Sequence, residues 1–436
     1  MSITERPRAV AATTTLPWRA LIVLASAVFL SITIEMLPTG LLPEMSADLG
    51  VGEPLVGLLV SVFAFTVVVT STPLTAMTRR LPRRTLLTAV LVVLAVSTAL
   101  SAVVPEYWML VGVRIVGGVA HGVFWALVGA YPARIVPDAQ LGRAVSVVLG
   151  GGTIALIAGV PLATALGQAV GWRAAFAVVA VLTLLGALVM RWVLPADDAT
   201  AAARAGLAGP DDRAAAPATG AVAASAPRDA ERSRAADAGT TAVLVVCLVT
   251  AVVMIGQYAA LTYIAPILTD VVGASSSAVA PLLFASGIAG AAGLAVAGTR
   301  FARNGVRALV VALAAIAVAL VVMTSVPALW PAVIAYLAWG FAFGAVPPLL
   351  QTRLLQAAAP ERRDAASALY TTAFNIGIGG GALVGGLLFG AFGVASIPLA
   401  FVVMAVLAGA IVTVSAVRSG QARSAVAAGP VRSSTT

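Results

Sequence analysis

Glu35 stands inside the first long apolar run of this chain, in the stretch Leu30-Ser-Ile-Thr-Ile-Glu-Met-Leu-Pro-Thr-Gly-Leu-Leu-Pro43. A carboxylate in a membrane-spanning helix costs about 2.5–3.5 kcal/mol on insertion scales, so such a residue faces a cavity or a polar partner. Two other polar groups share that apolar setting. Arg114 and His121 are seven residues apart in the fourth apolar run, nearly two helical turns, and so fall on one helix face. Helical rise puts Glu35 about 12 Å, and Arg114 about 10 Å, from the same face of the membrane. A carboxyl group alone in low dielectric keeps its proton, and one beside a guanidinium gives it up. A helix movement that separates and rejoins such a pair can therefore take up and release a proton. A substrate competing for the same carboxylate would couple its own movement to that proton. Each charge moved through 100 mV is worth about 2.3 kcal/mol, a roughly forty-fold accumulation. Glu35 is read as proton carrier and substrate contact, with Arg114 as its electrostatic modulator. Arg114 could instead tie helices together through backbone carbonyls; His121 is a candidate to line the substrate cavity with Glu35, or could be a packing histidine.

The elements that must position these groups follow from composition. The chain has 436 residues, 61% hydrophobic and 10% charged, with a mean hydropathy of +1.04. That is too little charge to cover a soluble surface. Twelve apolar spans can be drawn, at about 18–42, 53–78, 84–104, 107–132, 142–168, 172–194, 241–268, 277–299, 306–326, 328–352, 364–390 and 393–417. Each is long enough to cross roughly 30 Å of hydrocarbon. The first span is too long for a signal sequence and lacks a convincing cleavage site, so it is read as an uncleaved helix. The expected organisation is a tail at 1–17, a six-helix bundle at 18–194, a linker at 195–240, a second bundle at 241–417 and a tail at 418–436. The linker is rich in Ala, Asp, Arg, Pro and Gly and carries no sustained apolar periodicity.

Charge placement gives an orientation. All 26 basic residues are arginine. With the N-terminus in the cytoplasm, every arginine except Arg114 and Arg173 falls on the cytoplasmic side, and Glu44, Asp48, Glu53, Glu106 and Asp270 fall outside. This is the positive-inside asymmetry, with both termini cytoplasmic. The net charge of +9 is spread over separate surface loops, where topology and anionic lipid account for it, and no nucleic-acid partner is expected. One histidine and one cysteine, Cys247, leave no metal cluster and no intramolecular disulfide. A hydrolase would need a nucleophile with its base, or a metal, and neither is visible, so no enzyme is expected.

The two halves echo each other at an offset of 222 or 223 residues. Gly118 and Gly122 correspond to Gly340 and Gly344, Gly159 and Gly171 to Gly381 and Gly393, and Pro43 and Gly50 to Pro266 and Gly273. Both halves begin on the same side, so the repeat is parallel, with a central path between two bundles. By the same offset Gln257 and Tyr258 are the counterparts of Glu35 and are candidates to line that path, as is Asn375 at mid-depth in the eleventh span.

This architecture resembles the major facilitator superfamily over nearly the whole chain. Thr33-Ile-Glu-Met-Leu-Pro-Thr-Gly-Leu-Leu-Pro43 is similar to the first-helix signature of its twelve-helix drug:proton antiporter group. The stretch Gly151–Phe176, with Gly151, Gly152, Gly159, Pro161 and Gly167, resembles that group's antiporter motif, and Arg114–Gly122 its fourth-helix motif. Within the group the chain looks most like the arabinose-efflux-permease-like and chloramphenicol-resistance proteins. The resemblance implies an all-α polytopic fold of two six-helix bundles, and a monomer in the bacterial inner membrane. It implies export of small, fairly hydrophobic compounds by alternating access, driven by the proton gradient without a cofactor. It also implies that the glycine-rich fifth helix lies between the halves and limits proton leak. A sugar or metabolite transporter is the alternative. One loop departs from the superfamily pattern Gly-x-x-x-Asp-Arg-x-Gly-Arg-Lys. Here Thr75, Arg79, Arg80, Pro82, Arg83 and Arg84 align with it, and an arginine replaces the acid. The second copy, Gly298 to Arg307, has Ala302 at the acidic position.

Overall fold

A computed structural model describes residues 16–78, 81–195, 226–299, 304–359 and 362–427. Among these, twelve helices are long and apolar enough to cross a membrane: α1 (Trp18–Gly40), α2 (Glu53–Met77), α3 (Arg83–Val103), α4 (Tyr107–Val128), α5 (Gln140–Val170), α6 (Trp172–Val193), α7 (Gly239–Thr262), α8 (Ser276–Ala297), α9 (Gly305–Ser325), α10 (Leu329–Ala357), α11 (Ala365–Phe392) and α12 (Ser396–Val417). The reason for helix is general. In hydrocarbon every backbone N–H and C=O must be satisfied within the segment. Helical backbone reaches beyond two of the expected boundaries. The seventh helix starts at Ala226, inside the stretch read as linker, and the twelfth continues to Ala427.

Packing repeats between the halves. In the first, α1 packs on α5 and α6, α2 on α4, and α3 on α4 and α6; in the second, α7 packs on α11 and α12, α8 on α10, and α9 on α10 and α12. The halves meet where α2 runs along α11 and where α5 runs along α8, again a symmetric pair. The glycines explain how closely these helices approach. A Cβ on Gly118 would lie 2.9 Å from the Phe63 carbonyl oxygen, and one on Gly340 would lie 3.0 Å from that of Ser286. Phe63 and Ser286 are themselves related by the repeat offset. The described residues with positive φ are Gly50 (64°) with Gly273 (76°), and Gly171 (94°) with Gly393 (80°). They form two repeat pairs, each at a turn that a side chain would strain.

The face where α1 ends and α2 begins is closed. Tyr263, fully buried just beyond α7, sets its hydroxyl 3.2 Å from the carbonyls of Pro54 and Ala382, on α2 and α11. Gln168 Nε2 donates to the Ser276 carbonyl across the halves at 3.1 Å. Nearby, Asp48 accepts from Trp172 Nε1 and pairs with Arg173, whose guanidinium also reaches the Val104 carbonyl. The opposite face, where the chain enters α1 and leaves α12, is called the tail face below.

Candidate functional site

The local chemistry of α1 starts with Pro38. A proline inside a helix has no N–H to give the carbonyl four residues earlier. Here that carbonyl belongs to Ile34, and Arg114 of α4 binds it: Nη1 donates to Ile34 O and Nη2 to Glu35 O, both at 3.0 Å. Arg114 also stacks its guanidinium 4.2 Å from the centre of the Phe63 ring. The expected pairing of Glu35 with Arg114 therefore takes another form. The two charges remain in electrostatic contact, but the arginine's hydrogen bonds go to main chain, where a proline has left an acceptor free.

The group next to the Glu35 carboxylate is His121. Its Nε2 lies 3.5 Å from Glu35 Oε2, and its Nδ1 is 2.9 Å from Ser31 Oγ. Ser31 and Glu35 are four residues apart on α1, hence on one face, and His121 enters between them from α4. Phe63 meets the imidazole edge-on at 5.0 Å and Trp125 flanks it at 6.1 Å. Glu35, Arg114 and His121 are only 4%, 3% and 2% exposed, so the three form one sealed polar cluster in an apolar bundle. Ser31 was not singled out in the sequence. The signal was its i, i+4 spacing from Glu35.

A cavity of about 350 Å³ lies between the halves beside this cluster. Met36 and Thr39 form its α1 wall, with Ile157 and Val160 from α5, Leu283 and Ser286 from α8, and Tyr336 and Phe343 from α10. Gln257 and Tyr258 line it, as the repeat suggested, and Tyr258 lies within electrostatic reach of Glu35. Gln257 Oε1 accepts from Trp339 Nε1 at 2.8 Å, which fixes the amide. Three residues expected at this cavity are not among those that line it. His121 is one of them; its ring packs against Phe63 and Trp125. Asn375 is another; its Nδ2 donates to the Thr371 carbonyl of its own helix. Glu35 is the third: its chain neighbour Met36 lines the cavity and Glu35 does not. Trp339, Tyr336 and Ser286 were overlooked because no pattern within their own spans marks them.

The glycines singled out in α5 lie mostly against α1. A Cβ on Gly151 would collide with the Ala25 carbonyl, one on Gly159 with Thr33, and one on Gly167 would lie 2.5 Å from Leu41. All three neighbours belong to α1 or its end, so these glycines seat α5 on α1 within one half. Gly152 has ordinary room, with Val28 at 3.6 Å. Between the halves it is Gly287 of α8 that yields to α5, where a Cβ would meet Ile157 Cα at 2.6 Å. Pro161 follows a π-helical turn, Ala155–Gly159, so α5 is irregular beside the cavity.

The family profile of the Major Facilitator Superfamily matches residues 24–380 and, in a second alignment, 246–432. This chain belongs to the major facilitator superfamily. A chloramphenicol efflux pump of Mycobacterium tuberculosis is 32% identical over 401 residues, covering 88% of this facilitator and 90% of the pump. A probable sugar efflux transporter of Mannheimia succiniciproducens is 27% identical over 377 residues, covering 86% and 88%. Among solved structures, a D-xylose–proton symporter superposes with a TM-score of 0.70 at 16% identity, over 91% of this chain and 97% of that one. The facilitator is thus a multi-pass membrane transporter and not an enzyme. Its altered basic loop is partly visible. Arg79 and Arg80 lie outside the described residues. Arg83 lines a pocket with Thr75, Tyr131 and Arg134, and Arg84 donates to the Arg191 carbonyl near the end of α6. A cation at a helix C-terminus is favourable against the helix dipole. Among the described residues no group of acidic, histidine or cysteine side chains could hold a metal.

Proposed function

We propose that this transporter exports small, fairly hydrophobic compounds across the bacterial inner membrane in exchange for protons, acting as a monomer with both termini in the cytoplasm. The observation that carries the reading is the inter-half cavity, mostly apolar, set one side chain away from a sealed Glu35–His121 pair. The likeness to a chloramphenicol efflux pump over most of both chains supports the substrate class. In this reading Glu35 holds the transported proton. When protonated, its O–H donates to His121 Nε2, and when ionised, it accepts from Nε2–H. Ser31, both donor and acceptor, can serve either imidazole tautomer without moving the ring. Arg114 stays bound to α1 throughout and acts as the electrostatic modulator of the site. No cofactor is needed beyond the proton gradient.

One observation favours sugar as a second reading. Gln257, Tyr258, Ser286 and Tyr336 bring hydrogen-bonding groups to one side of the same cavity, which suits a polyol better than the sequence alone implied. The discriminating experiment uses everted vesicles made acid inside, challenged with chloramphenicol, lipophilic dyes and sugars. Export by antiport gives collapse of the pH gradient on adding a lipophilic compound, only with this protein present and not with Glu35→Gln. Collapse by sugars alone would move the assignment to sugar efflux. Proton-coupled uptake of labelled sugar by whole cells would reverse the direction.

A further inference from the structure

Near the tail face of the second half, α7, α9, α10 and α12 enclose a cavity of about 530 Å³. Val245, Val249, Leu309, Leu350 and Val412 form an apolar wall. Asn304, Arg353, Gln356 and Ser415, all near helix ends on that face, make its polar rim. Arg353 is half-buried in the last turns of α10. Its Nη1 is sealed from water and makes no hydrogen bond among the described residues. Among the described residues no carboxylate forms an ion pair with it, and residues 298–307, which join α8 to α9, contain no acid. A desolvated guanidinium without an anion is unfavourable, and a planar fork of this kind matches phosphate oxygens two at a time. A free phosphate would satisfy Arg353 but leave the apolar wall against water.

We propose that this cavity binds an anionic phospholipid of the adjacent leaflet, with its phosphate on Arg353 and an acyl chain along the Val245–Leu350 wall. The site is separate from the transport cavity and from the Glu35 cluster. It ties occupancy by lipid to the packing of α10 against α7 and α9.

The test is native mass spectrometry of the purified protein with phosphatidylglycerol, phosphatidylcholine of the same chains, and glycerol phosphate. One phosphatidylglycerol should bind at least about tenfold more tightly than phosphatidylcholine, the scale of one charge-assisted hydrogen-bonding group. Arg353→Gln should abolish that difference, and Arg307→Gln, an exposed arginine nearby, should keep it. Val245→Phe leaves the guanidinium in place and fills the apolar wall, so it should lose the lipid if the chain lies there. Retained preference in Arg353→Gln, or unchanged binding in Val245→Phe, overturns the proposal. So does glycerol phosphate binding as tightly as the lipid, which would mark a soluble-anion site.

Discussion

The contact between Arg114 and the Ile34 carbonyl makes a quantitative claim about why a buried arginine is present in α4. Replacing it by methionine removes two hydrogen bonds from a charged donor, each worth about 1.5–3 kcal/mol net, and also removes the desolvation cost of the cation, several kcal/mol. The sum has no firm sign, so the decisive quantity is a coupling. In α1 Glu35 O has Thr39 N–H one helical turn on, whereas Ile34 O has Pro38 at that position and takes its hydrogen bond from Arg114. Pro38→Ala supplies the missing N–H. In that background Arg114→Met should cost about 1–3 kcal/mol less than in the wild type, the penalty of leaving one buried carbonyl unsatisfied. The assay is reversible unfolding in mixed micelles, followed by tryptophan fluorescence, for the wild type, both single variants and the double variant. A coupling below about 0.5 kcal/mol, the usual limit of additivity, would refute the claim that Arg114 substitutes for the donor that proline removes.

Three further outcomes follow from the geometry. His121→Gln should keep substrate exchange at zero gradient but lose most gradient-driven accumulation, by about tenfold or more on the scale of one charge-assisted bond; wild-type accumulation would show that the Glu35 carboxylate does not use the imidazole. Tyr263→Phe removes the hydroxyl that bridges α2 and α11. In a Cys247→Ala background, a cysteine placed at Leu283 in the cavity should then react about two- to ten-fold faster with an impermeant thiol reagent, and an unchanged rate would mean the phenol does not hold that face shut. Gly344→Ala should destabilise more than its repeat counterpart Gly122→Ala in a thermal unfolding series. A methyl at Gly344 collides with the Gly290 carbonyl, whereas one at Gly122 meets Val67 O at 3.3 Å; equal losses would contradict the closer α8–α10 approach.

Much of the fold was legible because the bilayer imposes it. Runs of apolar residues long enough to span hydrocarbon must be helices, and the repeat offset could be read from glycines such as Gly50 and Gly273, whose left-handed backbone strains most side chains. Glu35, Arg114 and His121 were recognisable as a set, since charged groups in an apolar run need a reason, and spacing put two of them on one face. Their roles were not legible. Whether Arg114 meets the Glu35 carboxylate or the carbonyls behind it depends on the rotation of α4 against α1, and on a side-chain reach of a few ångströms. The same holds for the glycines of α5. Composition said only that the helix could pack tightly, and the structure shows that it does so against α1, with Gly287 of α8 serving the boundary between halves.

The sequence by itself determined twelve spans, a duplicated plan and the depth of the buried charges, because periodicity, length and polarity act locally along a chain. Only the tertiary structure decided partners. It put Ser31 and Glu35 on the two nitrogens of one imidazole, gave Arg114 the carbonyl that Pro38 frees, turned Asn375 back onto its own helix and left Arg353 Nη1 without a hydrogen bond among the described residues. Each of these depends on how helices distant in sequence are rotated about their own axes, which is set by packing among many side chains and not by any residue's neighbours.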